Sequence, residues 1–152
     1  SVKKLSVMTK EDFTFNESLK ISNNKFKIKF ILKNIVKDKI NKSNIKFDAI
    51  YSLDFINKLS KKDEKIFLSK SLQMLDKKGI FILGTPSKES SKFASNITKL
   101  VNKNSFTSDR LHFFLKKYFN NVFMFSMNDE VVHTGFNKMA HYLIAVCINK
   151  KK

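Results

Sequence analysis

Lysine alternates with phenylalanine and isoleucine in "KFKIKFILKNI" (25–35) before the run turns fully apolar, the pattern of a strand whose far end is buried. "FDAIYSL" (47–53) reads as a second strand of this kind, and "VKKLSVM" (2–8) as a weaker one. Between 2–8 and 25–35 lies "TKEDFTFNESLKI" (9–21), where Thr9 followed by Asp12 resembles a helix start. "SKKDEKIFLSKSLQMLD" (60–76) has the clearest helical period: Ile66, Phe67, Ser69, Leu72 and Leu75 recur on one stripe, Ser60 stands at the cap, and "KKG" follows. Gly79 stands where such a helix would stop. "GIFILGT" (79–85) is short and continuously apolar, as expected of a central strand covered on both faces.

Beyond Pro86 the chain turns polar, and "SKESSKFASNITKLVNKN" (87–104) suits a loop or a marginal helix. "TSDRLHFFLKKYF" (107–119) places Leu111, Phe114, Leu115 and Tyr118 on one stripe behind a Thr107 or Ser108 cap. "VFMFSMN" (122–128) and "HYLIAVCI" (141–148) are strands joined through a loop that contains Gly135, without a helix, so they should pair antiparallel. Alternating strands and helices with that final pair predict an α/β fold: a Rossmann-like, doubly wound sheet, mostly parallel, with an antiparallel C-terminal strand pair.

Composition narrows the picture. At 152 residues, 42% of them hydrophobic and 16 of them Phe, the chain is expected to form one globular domain over 1–152. No apolar stretch approaches the roughly 20 residues of a membrane span, and the start, "SVKKLSVMTK", lacks the features of a signal peptide, so the expected compartment is the cytoplasm. Cys147 is the only cysteine and sits inside an apolar strand, which suits a small buried hydrophobe. The net charge of +17 invites a nucleic-acid reading, but of the 30 Lys and Arg only Arg110 is arginine. Scattered lysines beside abundant Asn, Ile and Phe fit an AT-rich coding bias better than a dedicated nucleic-acid surface. Three histidines and one cysteine show no metal-ligand spacing.

The order "FDAIYSLDFINKL", "FLSKSLQMLDKKGIFILGTPS", "LHFFLKKYFNNVFMFS" and "NDEVVHTGFNKMAHYLIAVC" resembles the run of class I S-adenosylmethionine-dependent methyltransferases over roughly residues 2–148. The resemblance implies S-adenosylmethionine as cofactor and a small molecule or sugar as methyl acceptor. Two departures stand beside it. The family's Gly-x-Gly-x-Gly turn is absent, since glycine occurs only at 79, 84 and 135, so the sequence is expected to start at the family's second strand, as a fold truncated at the N-terminus. Met8 stands where the family has the acid that accepts from the ribose hydroxyls.

In open α/β sheets ligands gather outside the carboxyl ends of the strands. There the resemblance assigns cofactor contacts to Asn34, with Ile35 beside it, to Ser52 and Leu53, and to Asp54. Asn34 would take the adenine amino group, and Ser52 and Leu53 would lie along the amino-acid part. Asp54 would face the charged end or orient the substrate. Each has a plainer reading as well: Asn34 as a turn residue, Ser52 and Leu53 as an ordinary strand end, and Asp54 as the cap of "FINKL". The loop after "NVFMFSM" brings Asn128, Asp129, Glu130 and His133, of which His133 and Asp129 are the candidate catalytic residues and His141 the second choice of base. A structural histidine is the plainer reading of His133. Two alternatives to a methyltransferase remain: a non-catalytic or partner-dependent subunit of that fold, in which a homo-oligomer or partner chain completes the sheet, and a basic nucleic-acid-binding domain.

Overall fold

The computed structural model describes residues 5–9, 28–39, 46–93, 96, 100, 102, 104–128 and 131–151. They fall into two compact units, Ser1–Ser43 and Asn44–Lys152. The helix expected over 9–21 lies outside the described residues.

In the first unit, β1 (Leu5–Thr9) pairs in parallel with β2 (Ile28–Leu32), from Leu5 opposite Ile28 to Thr9 opposite Leu32. A turn follows β2. The Asn34 side chain makes it, its Oδ1 accepting from the N–H groups of Val36 (3.0 Å) and Lys37 (3.2 Å), while Asp38 accepts from the Asn34 N–H at 2.8 Å.

The second unit is built on a sheet in the order β3 (Phe47–Leu53), β4 (Leu75–Pro86), β7 (Tyr142–Lys150), β5 (Phe119–Asn128), β6 (Val131–His133). β3 and β4 are parallel, joined through helix α1 (Lys61–Met74). β7 runs antiparallel between β4 and β5, and β6 turns back on β5. The expected antiparallel pairing of the last two long strands is therefore present. The sheet is mixed, with one parallel pair, because the insertion of β7 gives both β4 and β5 an antiparallel neighbour. β6 falls in the stretch read from sequence as a loop.

Helix α1 starts as its sequence predicts, with Ser60 Oγ accepting from the Asp63 N–H at 3.1 Å. It ends earlier than expected. Leu75 is already extended (φ −76°, ψ 137°) and pairs with Phe47 across the sheet, so helix passes into strand without a loop. Lys150 Nζ donates to the carbonyls of Leu72 and Leu75, and Lys46 Nζ to that of Gln73, so lysines from outside the helix satisfy its last turn. Gly79 is no helix stop: it lies inside β4, where a Cβ would stand 2.7 Å from Leu75 Cδ1 and 3.1 Å from the Asp48 carbonyl. The buried stripe of α1 is Glu64, Phe67, Leu68 and Ser71, and Ser69 is exposed. Helix α2 (Ser108–Lys116) keeps its expected Thr107 cap and buries Leu111, Phe114 and Leu115.

One face of the sheet carries the core. Phe81, Leu83 and Thr85 of β4 stand opposite Cys147, Ala145 and Leu143 of β7, all fully buried. Phe67 meets Phe81 with ring centroids 6.4 Å apart, and Phe81 stacks on Phe119 at 5.7 Å. Each fully buried large side chain contributes roughly 1.5–3 kcal/mol. The two helices are also tied at their N-terminal ends. Arg110 donates to Glu64 Oε2 at 3.2 Å, to Asn104 Oδ1 at 2.7 Å and to the Ser105 carbonyl at 2.7 Å, and Asn104 Nδ2 donates to Glu64.

Candidate functional site

β3, β4 and β5 of the second unit point the same way, so their carboxyl ends form one edge, the place where ligands collect on such sheets. Asp54 stands at the end of β3 with φ 52°, in the left-handed region that Asp tolerates better than most residues. Its N–H donates to the Gly84 carbonyl at 3.1 Å and to Tyr142 Oη at 3.2 Å. The short 3₁₀ turn Ile56–Lys58 has Phe55 at its cap and no side-chain cap bond, so the expected capping role of Asp54 is replaced by this strand-end lock.

Tyr142 completes the lock, reaching across β4 because Gly84 has no side chain. A Cβ there would stand 2.7 Å from Tyr142 Cε1, 2.8 Å from its Oη and 2.6 Å from Leu53 Cδ2. Burial raises the phenol pKa well above its ordinary value. The Asp54 charge and the hydrogen bond to the Asp54 side chain add to the rise, and the Asp54 N–H opposes it. Tyr142 therefore keeps its proton at ordinary pH. Sequence reading passed over Tyr142 as a strand residue. The available signal was Gly84 inside an apolar strand, which marks a close approach by another chain segment.

The β4 end is clamped to the start of β7. Ser87 Oγ donates to the Ala140 carbonyl at 2.5 Å, the Ser87 N–H to the His141 carbonyl at 3.0 Å, and Ser90 Oγ to the same carbonyl at 3.0 Å. From β5, Asn128 Oδ1 accepts the His141 N–H at 3.0 Å. These bonds fix the edge through backbone and short polar side chains.

Of the residues expected at the site, Ser52 is half-buried, and Leu53 and Asp54 are exposed beside Gly84 and Tyr142. His133 is half-buried on β6, and its Nδ1 accepts from the Gly135 N–H at 3.0 Å, which leaves Nε2 for chemistry. β3 and β6 are the two edges of the sheet, four strand spacings or roughly 19 Å apart, so His133 is not brought next to Asp54. The His141 side chain is exposed at the clamp. Asp129 and Glu130 lie outside the described residues. Asn34 and Ile35 lie in the turn after β2 of the first unit, where Asn34 Oδ1 already accepts two N–H groups.

S-adenosylmethionine fits these residues unevenly. Asp54 offers an exposed carboxylate, and the end of β3 offers backbone, to a cationic amino-acid group. Asn34 has its oxygen engaged and retains amide donors, and Met8 in β1 offers no acceptor for ribose hydroxyls. Among the described residues no group of three or more His, Cys, Asp or Glu side chains could hold a metal ion, and no helix is long and apolar enough to cross a membrane.

No protein-family model and no curated protein matches the chain. Solved structures do match it. A possible histamine N-methyltransferase of Thermotoga maritima, described as S-adenosylmethionine-dependent, superposes with a TM-score of 0.74 at 15% identity, over 96% of this chain and 73% of that one. The methyltransferase domain of the bacterial protein CtHen1 gives 0.73 at 13% identity, over 96% and 77%. The N-methyltransferase NodS of Bradyrhizobium japonicum, in complex with S-adenosyl-L-homocysteine, gives 0.66 at 14% identity, over 97% and 67%. The chain thus has the α/β fold of class I S-adenosylmethionine-dependent methyltransferases.

Proposed function

We propose that the chain, as a Rossmann-like single domain over 1–152, is an S-adenosylmethionine-dependent methyltransferase acting on a small molecule or sugar in the cytoplasm. The observation that carries the reading is the strand-end lock: in this fold, Asp54 is held in a left-handed conformation by Gly84 and Tyr142 with its carboxylate exposed. In the proposal Ser52, Leu53 and Asp54 hold the amino-acid end of the cofactor, and Asn34 and Ile35 contact its adenine. The cofactor supplies an electrophilic methyl group, so the chain's own work is placement, worth up to roughly 7–11 kcal/mol in favourable cases. Tyr142 keeps the Asp54 backbone in place. His133, through Nε2, and Asp129 serve the acceptor end of the edge, where an acceptor hydroxyl would need a base.

Calorimetric titration with S-adenosylmethionine and S-adenosyl-L-homocysteine tests this. Saturable binding of both, weakened by Asp54→Ala, is the expected result, and no heat with either ligand refutes cofactor use by this chain alone. A second reading, a non-catalytic or partner-dependent subunit of the same fold, is favoured by Met8 at the end of β1 and by the engaged oxygen of Asn34. It predicts no cofactor binding together with a homo-oligomer or partner complex in light scattering. A monomer that binds the cofactor would exclude it.

A further inference from the structure

An open cleft of about 440 Å³ lies where α1 and α2 begin, beside the segment that follows β4. Among the described residues its lining is Lys61, Lys88, Asn104, Ser105, Thr107 and Arg110, with no carboxylate. One wall is rigid. Arg110 lies over the Phe106 ring at 4.1 Å and is held by Asn104 and Ser105, while Glu64, 5% exposed, pairs with it. Lys88 is anchored through its backbone, its N–H donating to the Phe106 carbonyl at 2.8 Å. The Lys61 and Lys88 side chains are exposed, and among the described residues neither ammonium has a partner. Once Glu64 has balanced Arg110, the Lys61 and Lys88 charges at the hollow have no ion-pair partner among the described residues.

In a lysine-rich chain two lysines near one another mean little. The chain's only arginine, fixed in the wall between them, is the feature that coding bias does not supply. Three cations with an amide and two hydroxyls around a hollow of this size suit a group with several acceptor oxygens and more than one negative charge. We propose that this cleft binds a phosphate group of a ligand, with Lys61 and Lys88 as its charged donors and Arg110 as the fixed positive wall. The proposal is independent of methyl transfer, because it concerns binding at a hollow that none of the assigned cofactor residues lines.

The full chain is titrated by calorimetry with ribose 5-phosphate, with a short single-stranded oligothymidylate, and with uncharged ribose as control. The double variant Lys61→Gln/Lys88→Gln is compared with Lys77→Gln/Lys117→Gln, which removes two exposed charges elsewhere. All four lysines are exposed, so both variants should fold, and thermal melts verify this. The expected result is that whichever phosphate probe binds is weakened at least about tenfold by the cleft variant and less than about twofold by the other. Binding of ribose 5-phosphate assigns the site to a lone phosphate group, and binding of the oligonucleotide alone assigns it to a nucleic-acid backbone. The proposal fails if neither phosphate probe binds, if ribose binds as well as its 5-phosphate, or if both variants weaken binding equally. Equal weakening would mean attraction by net charge alone.

Discussion

Tyr142 holds the backbone of Asp54. The tyrosine oxygen accepts the Asp54 N–H at 3.2 Å, and the nearby Asp54 charge helps burial keep the phenol protonated. Tyr142→Phe removes this hydrogen bond, but the N–H keeps the Gly84 carbonyl. The expected loss is therefore that of a single net hydrogen bond, about 0.5–1.5 kcal/mol, seen as a lower urea midpoint at unchanged slope. Asp54 itself separates conformation from charge. At φ 52°, Asp54→Gly should leave stability near that of the parent, whereas Asp54→Val should cost about 1–2 kcal/mol because a β-branched side chain resists the left-handed region. If both variants unfold at the same urea concentration, the backbone conformation at position 54 is not what limits the site.

At the level of elements, β4 and β7 meet closely because Gly84 is bare. Gly84→Ala places a Cβ within 2.8 Å of three side-chain atoms, so Tyr142 must move off Asp54. A cost of about 1–3 kcal/mol is expected, with a new tyrosine ring environment in proton NMR. The α1–α2 tie is a second element-scale device. Glu64 is buried and Arg110 is about one-third exposed (35%), so solvent screens part of the attraction. Removing either partner alone, by Glu64→Gln or Arg110→Met, should cost about 1–3 kcal/mol. A double-mutant cycle should return a coupling above about 0.5 kcal/mol, and additivity would show that the pair does not hold the helices together.

For the whole molecule, two acids whose pKa burial raises make stability fall at alkaline pH, and Lys150, whose pKa burial lowers, works against them. Burial pushes the Cys147 thiol up to about 12 from its ordinary 9.0, and burial with the Asp54 charge raises the Tyr142 phenol above its ordinary 10.0. In both cases the unfolded chain releases its proton first as pH rises, so the stabilisation is complete below about pH 9 and is lost as pH climbs toward the folded-state values. Urea unfolding should therefore give stable midpoints around pH 8 and falling ones above about pH 9. Cys147→Ala should remove the first part of the fall. The single-domain proposal carries its own test: calorimetric unfolding should show one transition with matching calorimetric and van't Hoff enthalpies, and two separable transitions would oppose it.

The strand and helix periods of the second unit were legible because each rests on local spacing. The Leu111, Phe114 and Leu115 stripe, the Ser60 and Thr107 caps and the "FDAIYSL" and "GIFILGT" strands all appear where their apolar positions fall. What needed the tertiary structure was every decision made by a partner far along the chain. Leu75 leaves the helix because Phe47 offers it a strand neighbour, and Gly79 and Gly84 are bare because Leu75 and Tyr142 fill the space a Cβ would take. The Asp54 site was legible as a strand end on a ligand-bearing edge. Its lock was not, because Tyr142 lies 88 positions away in sequence. The sequence by itself determined the α/β alternation and the acid at the end of β3. The fold alone decided the mixed sheet, the hold on that acid and the cationic cleft, since hydrogen bonds and ion pairs follow distance in space rather than spacing along the chain.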